Sequence, residues 1–199
     1  MEYQGKRPIW GASRATRVSG FTARFAWATN AESREVGFRT GEYRLVESGV
    51  DPRAVLARSG AVGGGRLEIV KEVALRGGKL EAAYALANAG GEPLAFTFAV
   101  ELNLGPDFAV PAGGAPRGPE VSFWEPAGAL VMACPPAGLV ARLAAPGAAA
   151  AAWQVKTVSQ SETSYEICVQ GLALVAWWYL NLAPGARVEK TLTLSVGPA

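Results

Sequence analysis

Residues 94–104 read LAFTFAVELNL. Leu94, Phe96, Phe98, Val100, Leu102 and Leu104 share one parity, and Thr97, Glu101 and Asn103 share the other. A period of two held over eleven residues is the pattern of a β-strand with one face on a core; a helix would scatter the same apolar residues around its girth. The opposite face carries small residues first, then a carboxylate and an amide two positions apart. A strand of this length is expected to be central to its sheet.

The flanking stretches repeat the pattern. RLEIVKEVALR (66–76) places Leu67, Ile69, Val73 and Leu75 on one parity, with Lys71 as the exception, and KLEAAYALAN (79–88) aligns Leu80, Ala82, Tyr84 and Leu86. Gly77-Gly78 between them has the form of a tight hairpin turn. A second turn, Asn88 through Pro93, leads into 94–104, so the three strands are expected to form an antiparallel meander. Upstream, GEYRLVESG opens at Gly41, a turn falls at Asp51-Pro52, and Gly63 to Gly65 is a loop. Downstream, the Pro-, Gly- and Ala-rich stretch 106–119 is a loop within the domain, because strand patterns resume beyond it. VSFWE, ALVMAC, GLVARL, AAWQVKTV, SYEICV, LALVAWWYL and RVEKTLTLSV follow. Roughly ten to fourteen strands with almost no helix imply an all-β fold of two packed sheets. Residues 41–199 are read as one β-sandwich domain. Residues 1–40 are read as an N-terminal arm that contributes at most one or two strands, FTARFAW (21–27) among them.

In LALVAWWYL both parities are apolar: Leu172, Leu174, Trp178 and Leu180 on one, Ala173, Val175, Trp177 and Tyr179 on the other. The first set is bulkier and is expected to face the core. The second then lies on an outer face that something else covers.

Composition narrows the function. In 199 residues, 50% are hydrophobic and 18% charged, a globular balance, and 19 basic against 17 acidic residues leave a net charge of +2. That charge is too small to argue for nucleic acid or a membrane surface as partner. Lys6, Arg7, Arg14, Arg17 and Arg24 cluster near the start and read as a solvated arm. The first twenty residues lack the apolar segment of a signal peptide, and the longest apolar run, 172–180, is half a membrane span. A soluble cytoplasmic protein is expected. Cys134 and Cys168 lie in apolar runs and read as buried free thiols, with no metal site and no cofactor implied. The sequence has no histidine. That removes the commonest neutral-pH acid–base, the commonest zinc ligand and the Ser-His and Cys-His nucleophile pairs.

Two blocks of the sequence bear a resemblance. The first is VKEVAL, LEAAYALAN and LAFTFAVELNLG; the second is VKTVSQSETSYEICVQG with LALVAWWYLNLAPGARVEKTLTLSV. Together they resemble the C-terminal β-sandwich domain of family-57 glycoside hydrolases, in the branch of the 4-α-glucanotransferases and related α-amylases. The shared features are a V-E-x-N-L strand at Val100 to Leu104, a T-V-S-Q-S-E segment at Thr157 to Glu162, and the Gln170-Gly171 strand start. The resemblance covers about 41–199. It implies a large antiparallel two-sheet supersandwich of the galactose-mutarotase type. In the full enzymes a barrel supplies the catalytic carboxylates, and no βα alternation exists here, so the resemblance carries over no catalytic residue.

What it does imply is an accessory or carbohydrate-binding role in α-glucan metabolism. The partners to expect are an α-glucan or other carbohydrate, or a separately encoded barrel-type hydrolase chain. The residues named for ligand contact are Glu101 and Asn103 on one strand, Gln160 and Glu162 in a turn-like segment, and Trp177 and Tyr179 as sugar-stacking rings. Each has a structural alternative: bracing of a loop for the polar groups, core packing for the rings. Two other readings stand beside this one. A mutarotase-like enzyme would ordinarily need a histidine acid and a glutamate base. The remaining reading is a structural domain without a ligand.

Overall fold

The structure, a computed structural model, describes residues 22–25, 42–48, 52–116, 120–160 and 165–199. Strand-forming residues dominate them, and no α-helix is present among them. One sheet has seven strands. In spatial order these are β2 (Arg44–Ser48), β3 (Arg53–Val62), β4 (Gly65–Arg76), β5 (Lys79–Asn88), β13 (Arg187–Pro198), β10 (Leu139–Ala144) and β9 (Leu130–Cys134). The other has six: β1 (Thr22–Phe25), β6 (Leu94–Leu104), β12 (Tyr165–Leu182), β11 (Ala149–Gln160), β8 (Ser122–Trp124) and β7 (Ala115–Pro116). Every pairing in both sheets is antiparallel.

The two inner faces meet in one core. β6 contributes Leu94, Phe96, Phe98, Val100 and Leu102, and β12 contributes Leu172, Leu174, Ala176, Trp178 and Leu182. Facing them are Leu67 and Ile69 of β4, Tyr84 and Leu86 of β5, and Leu192 and Leu194 of β13. An aromatic ladder ties the layers together: Trp178 stacks on Phe98 at 5.7 Å, and Phe98 meets the edge of Tyr84 at 5.0 Å. The bounds of β6 are those its alternation predicts, and its flanking partners are β1 and β12.

The meander is not as expected. β4 and β5 form a hairpin whose turn residues, Gly77 and Gly78, both take positive φ (53° and 76°), as a two-residue primed turn requires. The next turn instead carries the chain from one sheet to the other, so β6 does not pair with β5. Asn88 fixes this arch from a fully buried position. Its Nδ2 donates to the carbonyls of Glu92 (2.8 Å) and Leu182 (3.0 Å), and its Oδ1 accepts from the Gly90 amide (3.0 Å). A hairpin turn and an inter-sheet arch look alike in strand periodicity, and the buried amide is what separates them.

β11 and β12 run past the sandwich. β6 ends opposite Leu172, and a register shift lies between Val155 and Lys156 of β11. Among the described residues, 156–160 and 165–169 beyond these points pair only with each other. Gly171 stands at the junction. A Cβ there would come within 2.7 Å of the Leu104 carbonyl, so the close approach of β6 admits only glycine. Cys168 therefore lies on the ribbon and is only half-buried, which corrects the expectation of two buried thiols; Cys134, on β9, is buried. No helix among the described residues is long and apolar enough to cross a membrane.

Of the arm, Thr22–Phe25 forms β1 and pairs with Phe98–Glu101 of β6. The rest of residues 1–40 and the side chains of their basic cluster lie outside the described residues, as does Glu162.

Candidate functional site

The face of the six-stranded sheet turned away from the core is set by the register of β6, β12 and β11. Tyr179 stands opposite Thr97, Trp177 opposite Ala99, Val175 opposite Glu101 and Ala173 opposite Asn103. On the other flank of β12, Ala149 pairs with Trp177, Ala151 with Val175 and Trp153 with Ala173. The structure thus brings Glu101, Asn103, Trp177 and Tyr179 onto one surface, as their parity predicts. Gln160 does not join them. It lies eleven positions along β11 from the Trp177 row (149 to 160), about 36 Å away at the rise of a strand.

The centre of this surface is closed. Trp177 is 3% exposed and forms a second apolar cluster with Ala99, Ala149, Ala151 and Val175, against which Val121, Phe123 and Trp153 pack. Phe123 meets the Trp177 ring edge-on at 6.0 Å. The alanines of the 144–152 run explain the fit. Large β-strand side chains at 149 and 151 would occupy the space the indole fills, so the low-complexity stretch is a bed for a large ring. Trp177 is therefore a packing residue of the outer face and offers no ring to a ligand, which corrects the reading of it as a stacking platform.

Two open ends flank the closed centre. At one, Asn103 is exposed, Glu101 is half-buried, and Asn103 Nδ2 donates to Glu101 Oε1 at 3.4 Å. At the other, about 13 Å along β6 from Glu101, the Tyr179 side chain is 68% exposed. Thr97 stands opposite it, and the next row on the same face is Asn181 opposite Ala95, both exposed. An open aromatic ring bordered by a hydroxyl and an amide is the smaller and better-formed of the two ends. Asn181 was missed in reading the sequence. The signal was present as the Tyr-x-Asn spacing that continues the parity of Trp177 and Tyr179 past the apolar run. Among the described residues, no group of histidine, cysteine, aspartate and glutamate side chains could hold a metal ion.

Comparison with known proteins fits this architecture. The family model for the alpha-amylase/4-alpha-glucanotransferase C-terminal domain matches residues 19–118, half of the chain. The matched range takes in part of the arm and the first resembling block; the second block lies beyond it. Among solved structures, the chain is similar to 4-alpha-glucanotransferase from Thermococcus litoralis, with a TM-score of 0.67 and 19% identity over 88% of this chain. It spans only 27% of that enzyme's length. A candidate aldose 1-epimerase from Escherichia coli K12 aligns with a TM-score of 0.64 and 15% identity, over 88% of this chain and 79% of that one. A galactose mutarotase-like protein from Clostridium acetobutylicum aligns with a TM-score of 0.62 and 6% identity, over 90% and 80%. At these identities the structural likeness establishes the galactose-mutarotase-like fold and nothing finer. No curated protein sequence matches the chain.

Proposed function

Because the chain belongs to the alpha-amylase/4-alpha-glucanotransferase C-terminal domain family, we propose that it is a non-catalytic accessory domain of α-glucan metabolism that contacts carbohydrate through the outer face of its six-stranded sheet. The observation that carries this reading is the open end at Tyr179. A ring two-thirds exposed, with Asn181 and Thr97 on the same face, offers an apolar plane for the C–H side of a sugar and fixed partners for its hydroxyls. Glu101 and Asn103 supply a second polar contact for a ligand long enough to reach past the closed centre. The cytoplasmic setting is part of the same proposal, supported by two free cysteines.

Calorimetric titration of the chain with maltoheptaose tests it. Binding to the wild type, weakened at least about tenfold (1.4 kcal/mol) by Tyr179→Ala at unchanged thermal stability, is the expected result. No measurable heat with the wild type, or equal affinity for the variant, refutes the proposal. A second reading, docking of a separately encoded barrel chain on this face, is favoured by one fact: the similar glucanotransferase is a chain roughly three times as long.

A further inference from the structure

The outer face of the six-stranded sheet carries a second aromatic ring beside an amide. From Tyr179, opposite Thr97, the rows run back along β12 to Ala173, which has Asn103 of β6 on one side and Trp153 of β11 on the other. Directly paired residues share a face, so this row joins an amide and an indole to the surface that carries Tyr179. The six positions between the rows (179 to 173) put them about 20 Å apart at the rise of a strand. The closed centre lies between.

Trp153 differs from Trp177. Trp177 is sealed, whereas Trp153 packs against the cluster of Ala151, Val175 and Trp177 and is only half-buried. Asn103, across Ala173 from it, is exposed, and its donation to Glu101 Oε1 at 3.4 Å holds it on the face. This row repeats the composition of the Tyr179 end, where the amide is Asn181. Each end therefore offers a ring for the C–H side of a sugar and an amide for its hydroxyls. The cover of the closed centre includes Val121 and Phe123, which are apolar and half-buried. Sugar units crossing it meet C–H contacts and keep their hydroxyls in water, so the crossing strands no polar group.

We propose that Trp153 and Asn103 form a second sugar subsite, and that the face holds a linear α-glucan along the direction of β12, from Tyr179 past Phe123 to Trp153. This deepens the carbohydrate reading of the same face and rests on it. A six-membered ring and its bridging oxygen, with bonds of about 1.5 Å, advance such a chain by at most about 5 Å per unit, so spanning about 20 Å takes about five units. Shorter sugars reach the Tyr179 end alone. Once the chain is long enough, the second contact becomes intramolecular, and a subsite too weak to hold a sugar by itself adds to the affinity.

The test is calorimetric titration of the full chain with maltotriose and with maltoheptaose, in the wild type, Asn103→Ala and Trp153→Leu. The wild type is expected to bind maltoheptaose about tenfold more tightly than maltotriose. Asn103→Ala, a change at an exposed side chain, lowers the affinity for maltoheptaose about threefold or more and leaves that for maltotriose unchanged. Trp153→Leu does the same while keeping an apolar side chain against the second cluster; Asn103→Ala decides the matter if this variant folds poorly. Equal affinity of the wild type for the two sugars overturns the second subsite and leaves the Tyr179 reading standing. Absence of binding by either sugar overturns both. Variants that bind maltoheptaose as the wild type does, or that lose affinity for both sugars alike, overturn the subsite as well.

Discussion

Truncation of Trp177 separates the outer face described here from the open platform that parity alone suggests. The indole is 97% buried, with Ala99, Ala149 and Ala151 as its nearest small neighbours and Phe123 against its edge. An aromatic side chain buries about 150–250 Å², which at about 25 cal/mol per Å² is worth about 4–6 kcal/mol. The alanines cannot extend into the space that Trp177→Ala would leave, and strand backbones held by ladder hydrogen bonds on both flanks collapse little. The expected loss is therefore about 4 kcal/mol, within the usual range for Trp→Ala in a core and comparable with Phe98→Ala on the inner face. Urea unfolding followed by far-UV circular dichroism measures it as a lower midpoint at constant m-value. Such a loss is a large part of a typical domain's stability, so Trp177→Phe, expected to cost less while keeping an aromatic ring in place, is measured beside it. A loss below about 1 kcal/mol for Trp177→Ala would show that the ring lies open and that the second apolar cluster does not exist.

Asn88→Ala should cost about 3 kcal/mol in the same assay, since it leaves two carbonyls and the Gly90 amide of the inter-sheet arch without their partner. Gly171→Ala should cost about 1–3 kcal/mol by driving β6 off β12 at the Leu104 carbonyl; an unchanged midpoint would mean that the junction is looser than described. In the native protein a thiol reagent should label Cys168, on the ribbon, well before the buried Cys134; equal rates would contradict the placement of the ribbon. The hydrogen bond from Arg53 holds the Glu72 carboxyl below its usual range. Its folded pKa is thus below its unfolded one, so its contribution is complete above the ordinary carboxylate pKa and fades as pH falls below about 4. Glu72→Gln should therefore flatten the acid limb of the stability profile slightly, and less so in high salt; an identical limb would show that the pair contributes nothing.

The strands were legible because alternation is a property of single strands. Leu94–Leu104 shows it over its whole length, and the structure keeps those bounds. Which sheet a strand joins is decided elsewhere. The turn at 89–93 reads as a hairpin until Asn88 is seen to bond a carbonyl of the other sheet, 94 residues away. On the outer face, parity placed Glu101, Asn103, Trp177 and Tyr179 together correctly, yet it says nothing about what lies above a face. Two alanines of a low-complexity run and the edge of Phe123 decide that Trp177 is closed while Tyr179 is open. Lys71 stood out as a break in the pattern. Its ammonium reaches the Tyr43 ring, 5.5 Å from the ring centre, a contact between residues far apart along the chain that the pattern of a single strand does not show.

Amide chemical-shift mapping of the ¹⁵N-labelled chain with maltoheptaose tests the carbohydrate role most directly. The expected result is a saturable set of shifts confined to the outer face of the six-stranded sheet: Thr97, Tyr179 and Asn181, extending to Glu101 and Asn103, and absent in Tyr179→Ala. Shifts centred on the seven-stranded sheet or the β11–β12 ribbon, or no shifts at all, would contradict it.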